Sequence, residues 1–167
     1  MTWKRTIFKY YESKIQKANS KNKDFPDNAG VHLAIFIEPF FSLLFSGKKT
    51  IESRFSINNV APFRQVYAGD LVFIKKSGGP ISGYFIVGKV HYYAKPSTDE
   101  QQKIELTFGK GICTEAVQDF WERRSSAHFI SIFEIKSVVK FSPLIIDKKD
   151  RRAWAVIKLA NSKELLS

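Results

Sequence analysis

The 167-residue sequence contains a single cysteine, Cys113, so no disulfide can form within the chain and a thiolate-rich metal site is excluded. The three histidines, His32, His91 and His128, lack the short spacing of zinc ligands. No metal or other cofactor is therefore expected. Cys113 has no catalytic signature around it and reads as a buried, inert thiol. No long apolar run, lipidation motif or secretory signal is present, which predicts a soluble cytoplasmic protein without membrane contact. No segment recurs at a fixed period, so a solenoid or propeller is excluded.

Acidic residues are also few: 16 Asp and Glu face 27 Lys and Arg, a formal charge of +11. A surface of this size carrying that excess attracts polyanions, and with no membrane signal the expected partner is nucleic acid. Aromatic residues are abundant, with 15 Phe, 6 Tyr and 3 Trp, and 44% of the chain is apolar, which predicts a packed core rather than disorder. The length suits one domain with a short appendage. The expected boundary places a basic helix and linker in residues 1–30 and the globular domain in 31–167.

In the appendage, Trp3, Ile7, Tyr10, Tyr11 and Ile15 recur at helical spacing among Lys4, Arg5, Lys9, Lys14 and Lys17. Residues 1–23 hold seven Lys and Arg against the single Glu12, so over half the excess charge lies here. A helix packing its aromatic stripe on the domain is favoured over one dedicated to nucleic acid, and its removal is expected to weaken binding more than folding. Residues 20–30 read as a polar linker.

From Val31 the pattern becomes short strands, predicted over 31–38, 50–55, 71–76, 84–93, 128–138 and 153–158. A helix opened by Pro39 and closed by Gly47 follows the first strand. Two further helices are predicted, one capped by Ser97 and running to Leu106, the other over 114–124. Many short strands with few helices imply an α+β mixed barrel with helices over its openings.

The chemistry concentrates where that first domain helix meets the next strand, in Ser46-Gly47-Lys48-Lys49-Thr50-Ile51-Glu52-Ser53-Arg54-Phe55-Ser56. Alternation on the strand places Thr50, Glu52 and Arg54 on one face. A solvated face with an incidental ion pair fits this spacing equally well. Farther on, Lys76, Ser77 and Gly79 in a Ser-Gly-Gly-Pro turn offer donors and a close backbone approach, although ordinary turn chemistry explains them too. Arg152 and Trp154, two residues apart, combine a phosphate donor with a stacking surface, although a core Trp beside a surface Arg fits the same residues. Tyr84, Phe85, Tyr92 and Tyr93 read as core rather than base-stacking residues.

Gly47, Lys49, Glu52 and Arg54 complete a Gly-x-Lys-x-x-Glu-x-Arg pattern, and through it the chain resembles the ASCH domain family, itself similar to PUA domains. The segments from Gly69 to Pro80 and from Lys148 to Trp154 resemble one bacterial branch of that family. The resemblance spans about residues 31–158. It implies a PUA-like mixed β-barrel with flanking helices, whose cleft holds the patterned residues and takes RNA or a nucleotide. Lys49, Thr50, Glu52, Arg54, Lys76, Ser77, Gly79, Arg152 and Trp154 are then the binding candidates, their convergence on one cleft being implied by the family.

Small members of the family also resemble this chain and act as metal-independent amidohydrolases on an acylated cytidine, and a ribonuclease activity is proposed within it. On that alternative Lys49 and Glu52 are the catalytic candidates, Lys49 as base and Glu52 orienting water. The sequence departs from the amidohydrolase branch at Glu52, where that branch carries Thr, and neither Glu105 nor Glu115 is assigned by motif to its second carboxylate. A third possibility is an accessory domain that uses its basic helix against an acidic protein.

Overall fold

The structure, a computed structural model, describes residues 2–21, 28–162 and 165–166. Helix α1 (Trp3–Tyr10), capped by the Thr2 side chain, runs into a π-helical turn (Tyr11–Gln16). Then follow β1 (Val31–Phe36), α2 (Phe40–Phe45), β2 (Ile51–Ser56), β3 (Leu71–Lys76), β4 (Ile81–Ala94), α3 (Thr98–Ile112), two 3-10 turns (Thr114–Ala116 and Glu122–Arg124), β5 (Phe129–Leu144) and β6 (Trp154–Lys158). The expected linker lies largely outside the described residues.

The six strands form one curled mixed sheet in the order β2-β5-β4-β3-β1-β6, a half-barrel whose edges are β2 and β6. Only β1 and β3 pair in parallel, with Val31 opposite Leu71 and Phe36 opposite Lys76. The α+β, PUA-like barrel expected from the sequence is therefore present.

Alternation along the strands builds two cores. Ala34 and Phe36 on β1, Val72 and Ile74 on β3, and Phe85 and Val87 on β4 face the concave side with Leu44 and Ile104. Val31, Leu33, Leu71 and Phe73 face the other way, onto Ile7, Tyr11 and Ile15. Because α1 covers this second face, β3 is buried on both sides and reads as a continuous apolar run rather than an alternating one. The helix is thus part of the fold.

Ser97 caps α3 as expected, in a capping box with Glu100, but the helix continues to Ile112. It can do so because Gly111 lets it approach β2: a Cβ there would lie 2.5 Å from Ile51 Cγ1. The helix expected over 114–124 is replaced by the two 3-10 turns. Cys113 and Asp119 adopt left-handed backbone angles and Val117 is extended, which breaks any longer helix while keeping Phe120 in the concave core. Cys113 is buried, and burial pushes its thiol above its ordinary pKa.

Tyr92 is structural, as expected. Its hydroxyl donates to Val66 O (2.6 Å) and accepts from Val66 N (3.0 Å), fixing the loop between β2 and β3. Burial pushes its pKa up to about 12. Tyr92→Phe should leave the Val66 N–H without its acceptor and lower stability by about 1–3 kcal/mol, readable in denaturant unfolding. An unchanged midpoint would mean that water replaces the hydroxyl.

Candidate functional site

After α2, Gly47 takes a left-handed conformation (φ 83°) that an L side chain rarely adopts, and the turn is fastened by Lys49 N–H donating to Leu43 O at 3.0 Å. This reversal carries the Lys49 side chain into the interior. Its Nζ donates to Ile51 O (2.8 Å) and Ile112 O (3.2 Å) and lies 3.5 Å from Glu52 Oε1. The Phe40 ring covers it at 5.1 Å.

Glu52 and Arg54, two apart on β2, both face inward, as alternation requires. Glu52 is 4% exposed, with Oε1 accepting from Ser53 N (2.7 Å) and Oε2 from Arg54 Nη2 (3.2 Å). Burial works to raise the Glu52 carboxyl, but Lys49, Arg54 and the Ser53 N–H outweigh it and hold the group below the ordinary carboxylate range. Burial dominates at Lys49 and keeps its amine below the ordinary lysine value, opposed by the pull of Glu52.

Arg54 has a second task. The sheet edges β2 and β6 do not pair, and the guanidinium spans the seam between them: Nη2 donates to Ile35 O (2.9 Å) and Nη1 to Ala153 O (3.2 Å). It lies over the rings of Phe36 (5.0 Å) and Trp154 (5.3 Å). Ala153 O already accepts from Ile35 N at 2.8 Å, so Arg54 adds a second donor there and ties β2 across the opening to the paired β1 and the start of β6. The arginine is a clasp as well as a cleft residue.

The triad floors a cleft of about 790 Å³ walled by Phe40, Phe55 and Phe120. Four cationic side chains, Lys49, Arg54, Arg123 and Arg124, line it against the two carboxylates Glu38 and Glu52. Arg124 lies 3.8 Å over the Phe120 ring and donates from Nη1 to Phe120 O at 2.9 Å. The sequence reading missed Arg123 and Arg124 as site residues because it placed them on a helix. Their only local signal is a basic doublet after Trp121.

The other candidates lie elsewhere. Thr50 is exposed and outside the cleft lining, because it belongs to the joint before β2, where its N–H donates to Gly111 O. Lys76, Ser77 and Gly79 form the turn after β3, with Lys76 3.9 Å from Glu38 and 5.4 Å from the Phe41 ring centre. Gly79 N–H donates to Lys76 O in that turn, and none of the three lines the cleft. Trp154 is buried beneath Arg54 and donates its indole N–H to His32 Nδ1 (3.3 Å), whose Nε2 meets Asp70 Oδ2 (2.9 Å). Arg152 is exposed and held by Asp150 through Nε at 3.2 Å. Lys49, Glu52 and Arg54 converge in the cleft, while Lys76 and Arg152 remain outside its lining.

The family model for the ASCH domain matches residues 35–149, which is most of the chain. The chain belongs to the ASCH family. Its fold is similar to the crystal structure of ASCH from Zymomonas mobilis, with a TM-score of 0.59 at 10% identity over 77% of this chain and 87% of that one. A Ser-to-Ala mutant of the Zymomonas protein gives 0.59 at 12% identity over 80% and 91%. A Tyr-to-Phe mutant gives 0.57 at 11% identity over 77% and 90%. No curated protein matches. At these identities the likeness concerns the fold alone. Helix α1 and strand β6 lie outside the family match. No helix among the described residues is long and apolar enough to cross a membrane, and none of their carboxylate, His and Cys groups gathers as three or more metal ligands.

Proposed function

We propose that this ASCH protein binds single-stranded RNA and admits one nucleotide to the cleft over Lys49, Glu52 and Arg54. The observation that carries the reading is the cleft itself: three phenylalanines wall a space of nucleotide-accommodating size, with Arg123 and Arg124 at its edge. Phosphate falls to the arginine pair. Lys49 already spends its donors on two carbonyls and a carboxylate, and Arg54 is committed to the seam. A carboxylate has about four acceptor sites, and Glu52 uses three on Ser53, Lys49 and Arg54. The remaining site suits an exocyclic amine, which would bias the base accepted.

Arg123 is exposed, so reversing its charge tests binding without disturbing the triad. Arg123→Glu should weaken binding of a fluorescent single-stranded RNA by about tenfold or more and reduce the slope of affinity against salt. Unchanged affinity, or wild-type affinity indifferent to salt, would sink the proposal.

One observation favours a second reading, hydrolysis of an acylated or otherwise modified nucleoside. Burial holds the Lys49 amine below its ordinary value within 3.5 Å of Glu52, as a base toward water requires. Such activity would rise with pH as Lys49 loses its proton. Mass detection of products from a panel of modified nucleosides decides between the readings, since a binding protein returns them unconverted.

A further inference from the structure

A second pocket, of about 580 Å³, lies beside the cleft and shares Arg54, Phe55, Ser56 and Ala153 with it. The Arg54 clasp is the common border. Three cations line this pocket, Lys4 from α1, Arg54 from β2 and Arg152 from the segment before β6. No carboxylate is among its described lining residues, whereas the main cleft holds two. Ser56, Gln65 and Ser131 add polar groups, and Val60, Pro62 and Trp154 add apolar surface.

The loop that presents Arg152 is built rather than loose. The Lys148 side chain is only 4% exposed, and its Nζ donates to Asp150 O, Asp150 Oδ1 and Arg152 O, each at 2.8 Å. Asp150 in turn accepts from Arg152 N (3.1 Å) and Nε (3.2 Å), which fixes the direction of the guanidinium before a ligand arrives. Lys148 also lies 5.7 Å over the Trp3 ring, tying this loop to α1 and to Lys4. Lys4 Nζ donates to Leu166 O at 3.3 Å on the wall of this pocket, and burial and then the neighbouring Arg152 hold its amine below the ordinary value against the pull of Asp150.

We propose that this pocket is a second nucleotide subsite, in which Lys4 and Arg152 hold the phosphodiester of the nucleotide next to the one in the main cleft. The inference rests on the RNA-binding reading and extends it: the ligand is a strand of at least two nucleotides, draped over Arg54, and α1 takes part in holding it. This gives the appendage outside the family match a specific role, through one of its lysines rather than through diffuse charge.

The test compares a single-stranded RNA hexanucleotide with nucleoside monophosphates by equilibrium binding to the full chain, in wild type and in Lys4→Gln/Arg152→Gln. The double variant should bind the hexanucleotide about tenfold or more weakly and lose about 0.7 from its salt slope, the value for one phosphate contact on a single strand. Monophosphate affinity should stay within twofold, and Lys4→Arg with Arg152→Lys should restore much of the loss. Unchanged hexanucleotide affinity overturns the second subsite while leaving the first reading standing. An equal loss for both ligands also overturns it, because the pocket would then hold the mononucleotide itself. Wild-type protein that binds neither ligand defeats the RNA reading, and the subsite with it. Thermal melting of the double variant checks the fold; should it melt early, Lys4→Gln alone carries the same comparison.

Discussion

Ile7→Ala is expected to cost the fold about 2–5 kcal/mol, the range for truncating a buried isoleucine. At about 2–4 °C per kcal/mol for a chain of this size, the melting midpoint should fall by roughly 4 to 20 °C. Ile7 is fully buried, and with Tyr11 and Ile15 it covers Val31, Leu33, Leu71 and Phe73 on the convex side of the sheet. Each such side chain stabilises by about 1.5–3 kcal/mol through burial, so together they are comparable to the whole margin of an ordinary domain. Deleting residues 1–20 should therefore expose an apolar sheet face and give aggregated protein rather than a weakened binder. Lys9→Ala, on the exposed side of the same helix, is the control and should stay within about 0.5 kcal/mol. Equal midpoints for Ile7→Ala and Lys9→Ala would show that the helix is dispensable to the fold.

That contrast marks how far the sequence could be read. The spacing of Trp3, Ile7, Tyr11 and Ile15 declared an apolar stripe, but spacing cannot say that β3 needs a second cover. The unbroken apolar run Leu71 to Ile74 was the available signal, since a strand buried on one side alternates. Strand positions were legible because period-two patterns are local, and β3 was placed at its observed limits. The segment 114–124 was not legible, because Cys113 and Asp119 take left-handed angles in a run whose apolar spacing still suits a helix. In the site, Glu52 and Arg54 were placed on one face by alternation alone. The burial of Lys49 depends on the Gly47 reversal and on the carbonyl of Ile112, 63 residues away. Arg54's contacts with Ile35 and Ala153 arise only when the sheet curls and its two edges approach. No one-dimensional pattern contains that closure, so Arg54 reads in the sequence as a cleft residue and not as a clasp.

Glu52→Ala should be the most damaging single change in the site, costing about 3–5 kcal/mol, because it leaves Lys49 and Arg54 inside the barrel without their shared counter-charge. Glu52→Gln keeps the volume and isolates the charge. In the wild type the folded-state pKa of Glu52 lies below its ordinary value of 4.5, so between the two the unfolded chain binds more protons. Its contribution is therefore fully present above about pH 4.5 and is lost as pH falls through the folded value. Lys49 also has a folded-state value below its ordinary 10.5, so stability rises with pH between its folded value and 10.5, as the cost of burying the cation is relieved. Denaturant unfolding across pH should show the acid-side loss reduced in Glu52→Gln and the alkaline rise reduced in Lys49→Met. The double variant Lys49→Met/Glu52→Gln should cost less than the sum of the single changes, since removing both members of the pair strands neither charge. Additive costs would mean that the triad is held by packing and not by charge. A folded double variant would also separate architecture from recognition: retained RNA affinity would assign binding to Arg123, Arg124 and the phosphate contacts at the edge, while lost affinity would assign it to the Lys49–Glu52 pair at the floor.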